Sequence, residues 1–203
     1  MTKKLHLILI FSMIISTIFT SEYENLFNRT KQIYSGINTF EANLHQENVF
    51  ADYDLTMTSK GKIFIDNNII ILEYTEPDYY FLKEENNNVI IYSRNENMAL
   101  SLKNDIGNEN AIYRFTTLLN SNFAFSHVND HLIAYKMIEQ NIEINSITIF
   151  LNKNTAQIDR IEYLDDLENL VIIELSGQKF SIILSKDIKD FVVPEGANWI
   201  ENE

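Results

Sequence analysis

The hydrophobic residues of the central stretch follow two different patterns. In residues 61–66, Ile63 and Ile65 alternate with Lys62, Phe64 and Asp66, which is typical of a half-buried strand. Residues 69–74 are apolar at almost every position, which is typical of a strand covered on both faces. Asn67-Asn68 makes the turn, and Pro77 ends the second strand because proline cannot donate to a ladder. The pattern predicts a hairpin whose second strand is packed on both faces or lines a cavity.

Two segments have helical spacing. Residues 22–35 carry an apolar stripe and stop at Gly36, and residues 108–120 place apolar side chains three and four apart. The remaining apolar segments predict strands over 39–46, 54–59, 79–83, 89–93, 98–102, 123–128, 132–138, 143–151, 156–164, 170–175 and 179–184, besides the two strands of the hairpin.

The spacing of these strands predicts the fold class. Their turns are too short for helical crossovers, so neighbouring strands pair antiparallel. From these thirteen candidate segments we predict a mainly β (α+β) protein with about eleven strands, and a sheet of that size curls on itself. The expected architecture is one strongly curved antiparallel sheet, or unclosed β-barrel, with helices covering its concave side.

The first residues predict export. Lys3 and Lys4 precede a run of apolar residues, and small polar residues follow at Thr20-Ser21. The run is shorter than the roughly 20 residues that a spanning helix needs, so it resembles a cleaved signal peptide more than an anchor. We expect residues 1–21 to be the signal peptide, residues 22–203 to form one domain, and the mature protein to lie in the periplasm. With no cysteine, the chain has neither disulfides nor a lipid-modified N-terminus.

The negative net charge of the chain excludes some classes of binding partner. The net charge is −13, and it becomes −15 when Lys3 and Lys4 leave with the signal peptide. Such a surface repels phosphate backbones and anionic headgroups, so we expect no nucleic-acid partner and no adsorption through a basic patch.

Candidate catalytic and metal-binding residues are few. His127 and His131 flank a predicted turn at Asn129-Asp130, where Asp130 could be a third metal ligand, but their spacing is typical of surface histidines. Acidic pairs at 84–85 and 165–166 lie beside predicted turns, where carboxylates are usually solvated. We therefore predict no enzyme, no metal site and no cofactor.

Three short motifs carry a family resemblance. Gly61 opens the first strand of the hairpin, and the second ends in Leu72-Glu73-Tyr74-x-x-Pro77. An amphipathic helix followed by Phe40-x-Ala-x-Leu-x-Gln46 precedes the hairpin, and Phe191-Val-Val-Pro194-Glu-Gly196 stands near the end. Together they resemble the LolA family of periplasmic lipoprotein carriers. The resemblance implies an unclosed barrel with a helical lid over an apolar cavity.

The resemblance also implies an activity. A carrier of this family, acting as a monomer, accepts an acylated lipoprotein from an inner-membrane ABC transporter, shields the acyl chains and passes the cargo to an outer-membrane acceptor. Periodicity alone leaves open a filled core instead of a cavity. The residues expected to line the cavity and its lid are Phe40, Leu44, Ile63, Ile65, Ile70, Leu72, Tyr74, Phe81, Ile91, Ile112, Phe115 and Leu119.

One position departs from the family pattern. The family has an arginine near the end of the strand after the opening glycine, where it helps to close the lid, and Asn67 stands at that place here. An asparagine donates hydrogen bonds without charge assistance. Two other functions stay open: an envelope lipid-binding or stress-sensing domain on the same scaffold, and an envelope enzyme that lacks a recognisable motif.

Overall fold

A computed structural model describes residues 22–67, 69–86, 88–103, 123–127, 132–137, 147–165 and 167–201, with residues 123–127 and 132–137 as backbone only. Its elements are α1 (22–35), β1 (Thr39–Phe50), a 3-10 turn (Ala51–Tyr53), β2 (Leu55–Asp66), β3 (Ile69–Glu76), β4 (Tyr80–Glu85), β5 (Asn88–Ser93), β6 (Met98–Lys103), β7 (Phe123–His127), β8 (Leu132–Met137), β9 (Ile147–Asn152), β10 (Ile158–Leu164), β11 (Leu170–Phe180), α2 (Lys186–Lys189) and β12 (Asn198–Glu201).

The described strands form one open sheet of twelve, in the order β12-β6-β5-β4-β3-β2-β1-β11-β10-β9-β8-β7. The predicted fold class, a single mainly β sheet that does not close into a barrel, is confirmed. The sheet is mixed, however, because β12 pairs parallel to β6, with Asn198 beside Met98. This pairing covers only four residues of β12, which is too short for a periodic pattern to be recognised in the sequence.

The strand β2 is longer than predicted and contains Gly61 instead of beginning near it. The register of β2 against β3 slips there, because Lys60 pairs with Glu76 while Gly61 pairs with Tyr74. A Cβ on Gly61 would lie 2.0 Å from the carbonyl oxygen of Glu73, so only glycine allows this close approach of the two backbones.

A second bulge explains another difference. Residues 170–175 and 179–184 were predicted as two strands, but β11 runs through to Phe180. Gly177 has φ +61°, and Ala42 of β1 faces both Gly177 and Gln178 where the register shifts. The left-handed glycine resembled a turn in the sequence, whereas it bends a continuous strand.

The helix α1 packs on one face of the sheet, as its apolar stripe predicted. Leu26, Phe27 and Tyr34 are buried against β1 and the β9–β10 hairpin. The hydroxyl of Thr30 donates to the carbonyl of Ala156 at 2.9 Å. Neither helix in the described ranges has the length and apolarity to cross a membrane.

Tyr34 anchors α1 through a closed hydrogen-bond network. Its hydroxyl donates to Oε1 of Gln178 at 2.6 Å and accepts from the backbone N–H of Ile158 at 2.9 Å. The Gln178 amide donates to the carbonyl of Ile158 at 2.7 Å. The register of β10 shifts after Ile158, so these side chains satisfy backbone groups near the irregularity.

The opposite face of the central strands is covered by the chain between β11 and β12. Phe81, Phe64 and Ile71 are buried there, and the ring of Phe191 stacks on that of Phe81 at 3.7 Å. Lys189 forms an ion pair with Asp66. The hairpin prediction allowed β3 to be packed on both faces or to line a cavity, and the structure shows the second case: the convex face of β3 is packed around Ile71, whereas its other face, with Ile70 and Leu72, lines a cavity.

The sheet is strongly curved toward α1. Three strands separate β3 from β10, so Tyr74 and Tyr163 would lie about 19 Å apart on a flat sheet. Their side chains instead line the same cavity beside α1. The face that carries α1 is therefore the concave one.

We predict that Gly61→Ala destabilises the protein by at least about 2 kcal/mol, because the new Cβ forces β2 away from β3. Chemical denaturation measures the change. Gly36→Ala is the control: its Cβ would meet only the carbonyl of Gln32, at 3.9 Å, so a change within about 1 kcal/mol is expected. Equal effects of the two variants would contradict the close approach.

Tyr34→Phe should lower the free energy of unfolding by about 1–3 kcal/mol, because the buried N–H of Ile158 loses its acceptor. Tyr53→Phe is the matched control, since Tyr53 is exposed. Urea titration of both variants measures the difference. An unchanged Tyr34→Phe midpoint would mean that apolar packing alone holds α1.

Candidate functional site: a cavity on the concave face

The part of the concave face beside α1 forms an open cavity of about 500 Å³. Six adjacent strands, from β4 to β10, provide its floor and walls, and α1 with the turn after it provides one side. The lining residues are Tyr34, Ile37, Phe40, Leu44, Gln46, Ile63, Ile65, Ile70, Leu72, Tyr74, Leu82, Glu84, Ile161, Tyr163, Ile173 and Leu175.

Strand register explains why these side chains converge. Ile63 pairs with Leu72, and Ile65 pairs with both Ile70 and Phe40. Directly paired residues point to the same face, so one alternating set from each strand meets on the concave side. The structure thus brings together seven of the predicted residues: Phe40, Leu44, Ile63, Ile65, Ile70, Leu72 and Tyr74.

The other predicted residues lie elsewhere. Phe81 was placed wrongly, because it is buried on the convex face and its neighbour Leu82 lines the cavity. Ile91 pairs with Leu82 and so lies on the concave face, beside the cavity. Ile112, Phe115 and Leu119, with the whole predicted lid helix, lie outside the described residues.

Asn67 occupies the β2–β3 turn. Its φ is +52°, its backbone N–H donates to the carbonyl of Asn38 at 2.7 Å, and its side chain donates to Oδ1 of Asp66 at 2.7 Å. Asparagine is among the few residues that adopt left-handed backbone readily. The local geometry therefore accounts for an asparagine here, and its proposed part in closing a lid stays a prediction.

Polar groups gather at one end of the cavity. The hydroxyl of Tyr74 donates to Oε1 of Gln46 at 2.7 Å, and Nε2 of Gln46 donates to Oδ1 of Asn48 at 3.0 Å. Burial, and secondarily the neighbouring Tyr163, raise the pKa of Tyr74 to about 12. Burial, and then Asp165, also raise the pKa of Tyr163. Both phenols are therefore neutral at physiological pH.

Glu84 is the charged residue of the described lining, and it lies toward the other end of the cavity. It pairs with Ile70 of β3, close to the β2–β3 turn, whereas Tyr74 pairs with Tyr80 near the far end of β4. The cavity thus has an apolar middle, a neutral hydrogen-bonding end and an acidic end.

Several lining residues were missed in the sequence. Ile161 and Tyr163 in β10, and Ile173 and Leu175 in β11, alternate with polar or outward-facing residues and could have been found by parity. Their strands are distant in sequence from the hairpin, however, and only the fold shows that β11 pairs with β1.

A second, larger depression of about 850 Å³ lies on the convex face and is lined by charged residues, including Glu41, Lys62 and Glu73. Glu41 accepts hydrogen bonds from Lys62 at 3.4 Å and from Lys179 at 3.2 Å. These charges are paired across strands on a solvated wall, so this depression does not suit an apolar ligand.

The metal hypothesis finds no support in the described side chains, which contain no cluster of three or more histidine and acidic residues able to hold an ion. His131 and Asp130 lie outside the described residues, and His127 is described as backbone only.

No protein-family model and no curated protein matches the chain. Solved structures do. An uncharacterized conserved protein from Thermus thermophilus aligns with 89% of this chain and 99% of its own, at 9% identity and a TM-score of 0.56. The LolA superfamily protein NE2245 from Nitrosomonas europaea aligns with 83% of this chain and 98% of its own, at 11% identity and a TM-score of 0.43. The MucA/MucB complex from Pseudomonas aeruginosa aligns with 80% of this chain and 58% of its own, at 10% identity and a TM-score of 0.44.

The solved structures similar to this chain thus include a LolA superfamily protein, as the motifs predicted. At these identities the likeness concerns the fold alone.

The raised pKa of Tyr74 predicts a pH dependence of stability. The ordinary pKa is 10.0 and the folded value is about 12, so folding favours the protonated phenol. This contribution is fully present below pH 10.0 and is lost as the pH rises toward about 12. We expect Tyr74→Phe to lose less stability than the parent between pH 9 and about pH 11, measured by urea denaturation. Tyr53→Phe should keep the parental slope, and the same slope in Tyr74→Phe would contradict the assignment.

Proposed function

We propose that this protein is an exported carrier that shields the acyl chains of lipoproteins in its concave cavity and moves them from the inner to the outer membrane. One observation supports this function above others: an open, mostly apolar cavity on the inside of a curved sheet. The convex face of the same strands is packed by Phe191 and its neighbours, whereas the residues that the structure describes leave part of the concave face open.

The cavity walls suit a hydrocarbon ligand. Isoleucine and leucine side chains from β1, β2, β3 and β11 provide most of the surface, and each methylene moved from water into such surroundings gains roughly 0.8 kcal/mol. A chain of a dozen or more carbons would therefore be held firmly without any directional contact. An open wall also allows release, because a cargo with one exposed side can pass to an acceptor that covers it more completely.

Export and transfer complete the proposal. Residues 1–21 act as a cleaved signal peptide, and the mature protein works in the periplasm as a monomer. An inner-membrane ABC transporter supplies the acylated lipoprotein, and an outer-membrane acceptor removes it. The predicted lid over residues 108–120 would contribute Ile112, Phe115 and Leu119 to the cover, with Asn67 replacing the arginine of the family.

Binding of a fluorescent fatty acid tests the cavity. Ile63→Asp should weaken binding by at least about tenfold, because a carboxylate in an apolar wall must stay solvated. Ile183→Asp is the matched control, since Ile183 is 96% exposed and lies outside the cavity. Ile63→Thr keeps the branched shape and should give a smaller loss in the same direction, which separates a binding defect from misfolding.

A second measurement uses the protein as it leaves the cell. Organic extraction of the purified mature protein should release acyl species, and export followed by N-terminal sequencing should show cleavage near residue 21. If no acyl species co-purifies and no fatty acid binds to the parent protein, the carrier function is wrong.

A further inference from the structure

The size of the cavity limits its cargo. A methylene of a liquid chain takes about the volume of a water molecule, roughly 30 Å³. The cavity of about 500 Å³ therefore has room for about 16 methylenes, which is one long acyl chain. Three such chains would need about three times that volume.

The polar end of the cavity shows how the chain would be oriented. Gln46 uses its Oε1 to accept from Tyr74 and one N–H to donate to Asn48. A primary amide has two N–H groups, and the described hydrogen bonds use one of them. The second N–H can donate to a carbonyl oxygen at this end of the cavity.

The charges favour the same orientation. Gln46 and Tyr74 at this end are neutral, whereas the carboxyl group of Glu84 at the other end has no N–H to donate to a carbonyl oxygen. An ester or amide carbonyl is a neutral acceptor and needs no countercharge. The carbonyl end of the ligand then lies beside Gln46 and Tyr74, and its methyl terminus lies toward the β2–β3 turn.

We propose that the cavity holds a single acyl chain of about 16 carbons, whose ester or amide carbonyl accepts a hydrogen bond from Gln46. This inference rests on the proposed function and adds the number of chains, their length and the group that recognises the head. Such a chain can belong to a free lysolipid or to an acylated peptide, which share the acyl carbonyl.

Chain length is tested with lysophosphatidylcholines of increasing length, used to displace a fluorescent fatty acid below their micelle concentrations. Affinity should rise about fourfold for each added methylene and level off near about 16 carbons. Native mass spectrometry should find one lysolipid on each protein. Affinity that keeps rising past about 20 carbons, or two or more chains bound together, would overturn the single-chain proposal.

A peptide carrying one N-palmitoyl amide is the second arm of this experiment. Displacement by the peptide alone assigns the carbonyl to an acylated protein. Displacement by the lysolipid alone assigns it to a free lipid. Either result supports the binding of a single acyl chain. If neither ligand displaces the probe at any length, the carrier function itself fails together with this inference.

The length limit should move with the cavity. Leu82→Trp fills about two water volumes of the cavity, so the plateau should shift to chains about two carbons shorter. Ile183→Trp adds the same ring outside the cavity and should leave the plateau in place. An unshifted plateau in Leu82→Trp would mean that the chain lies elsewhere.

The role of Gln46 is tested with a pair of ligands that differ by the carbonyl. Gln46→Leu should bind lysophosphatidylcholine about tenfold more weakly and an alkylphosphocholine, which has no carbonyl, with unchanged affinity. The unchanged ligand shows that the variant is folded. Gln32→Leu, on the exposed side of α1, should bind both ligands as the parent does. Equal losses for both ligands would contradict a hydrogen bond to the carbonyl.

Discussion

The central strands of this protein carry apolar side chains on both faces, and each face needs a cover. The chain after β11 covers the convex face, where Phe191 stacks on Phe81 and Lys189 pairs with Asp66. The helix α1 covers only the part of the concave face formed by β1 and the β9–β10 hairpin. Over the rest of the concave face, the curved sheet surrounds an open space beside α1. The cavity is therefore the part of the concave face that the described residues leave open.

Alternation and apolar runs were sufficient to predict most of the strands and the shared face of seven residues that line the cavity, but they left open whether that face is filled or hollow. The same signal failed at Phe81, because where both faces are covered neighbouring residues are equally apolar and parity no longer separates them. Glycines misled in another way. Gly61 and Gly177 resemble strand boundaries in the sequence, whereas each lies at a bulge within a long strand. The parallel pairing of β12 depends on a long-range contact that no local pattern encodes.

Asparagine takes the place of glycine at several turns. Asn67, Asn86 and Asn97 all have positive φ angles, in a chain with five glycines. Asn67 adopts the left-handed backbone that the turn requires, and its side chain also donates a hydrogen bond to Asp66. The same side chain is proposed to take the place of the lid arginine, so a hydrogen bond from Asn67 to a lid would compete with the one to Asp66.

The hydrogen-bonded seat of Tyr34 on Gln178 and Ile158 has a consequence for energetics. It ties α1 to the sheet through groups of the chain itself, so the order of this wall needs no contact from a ligand. The free energy of binding a hydrocarbon is therefore not reduced by a cost of ordering α1. Ligand binding should then leave the helical signal in the far-ultraviolet circular dichroism spectrum unchanged, because this wall of the cavity is already formed.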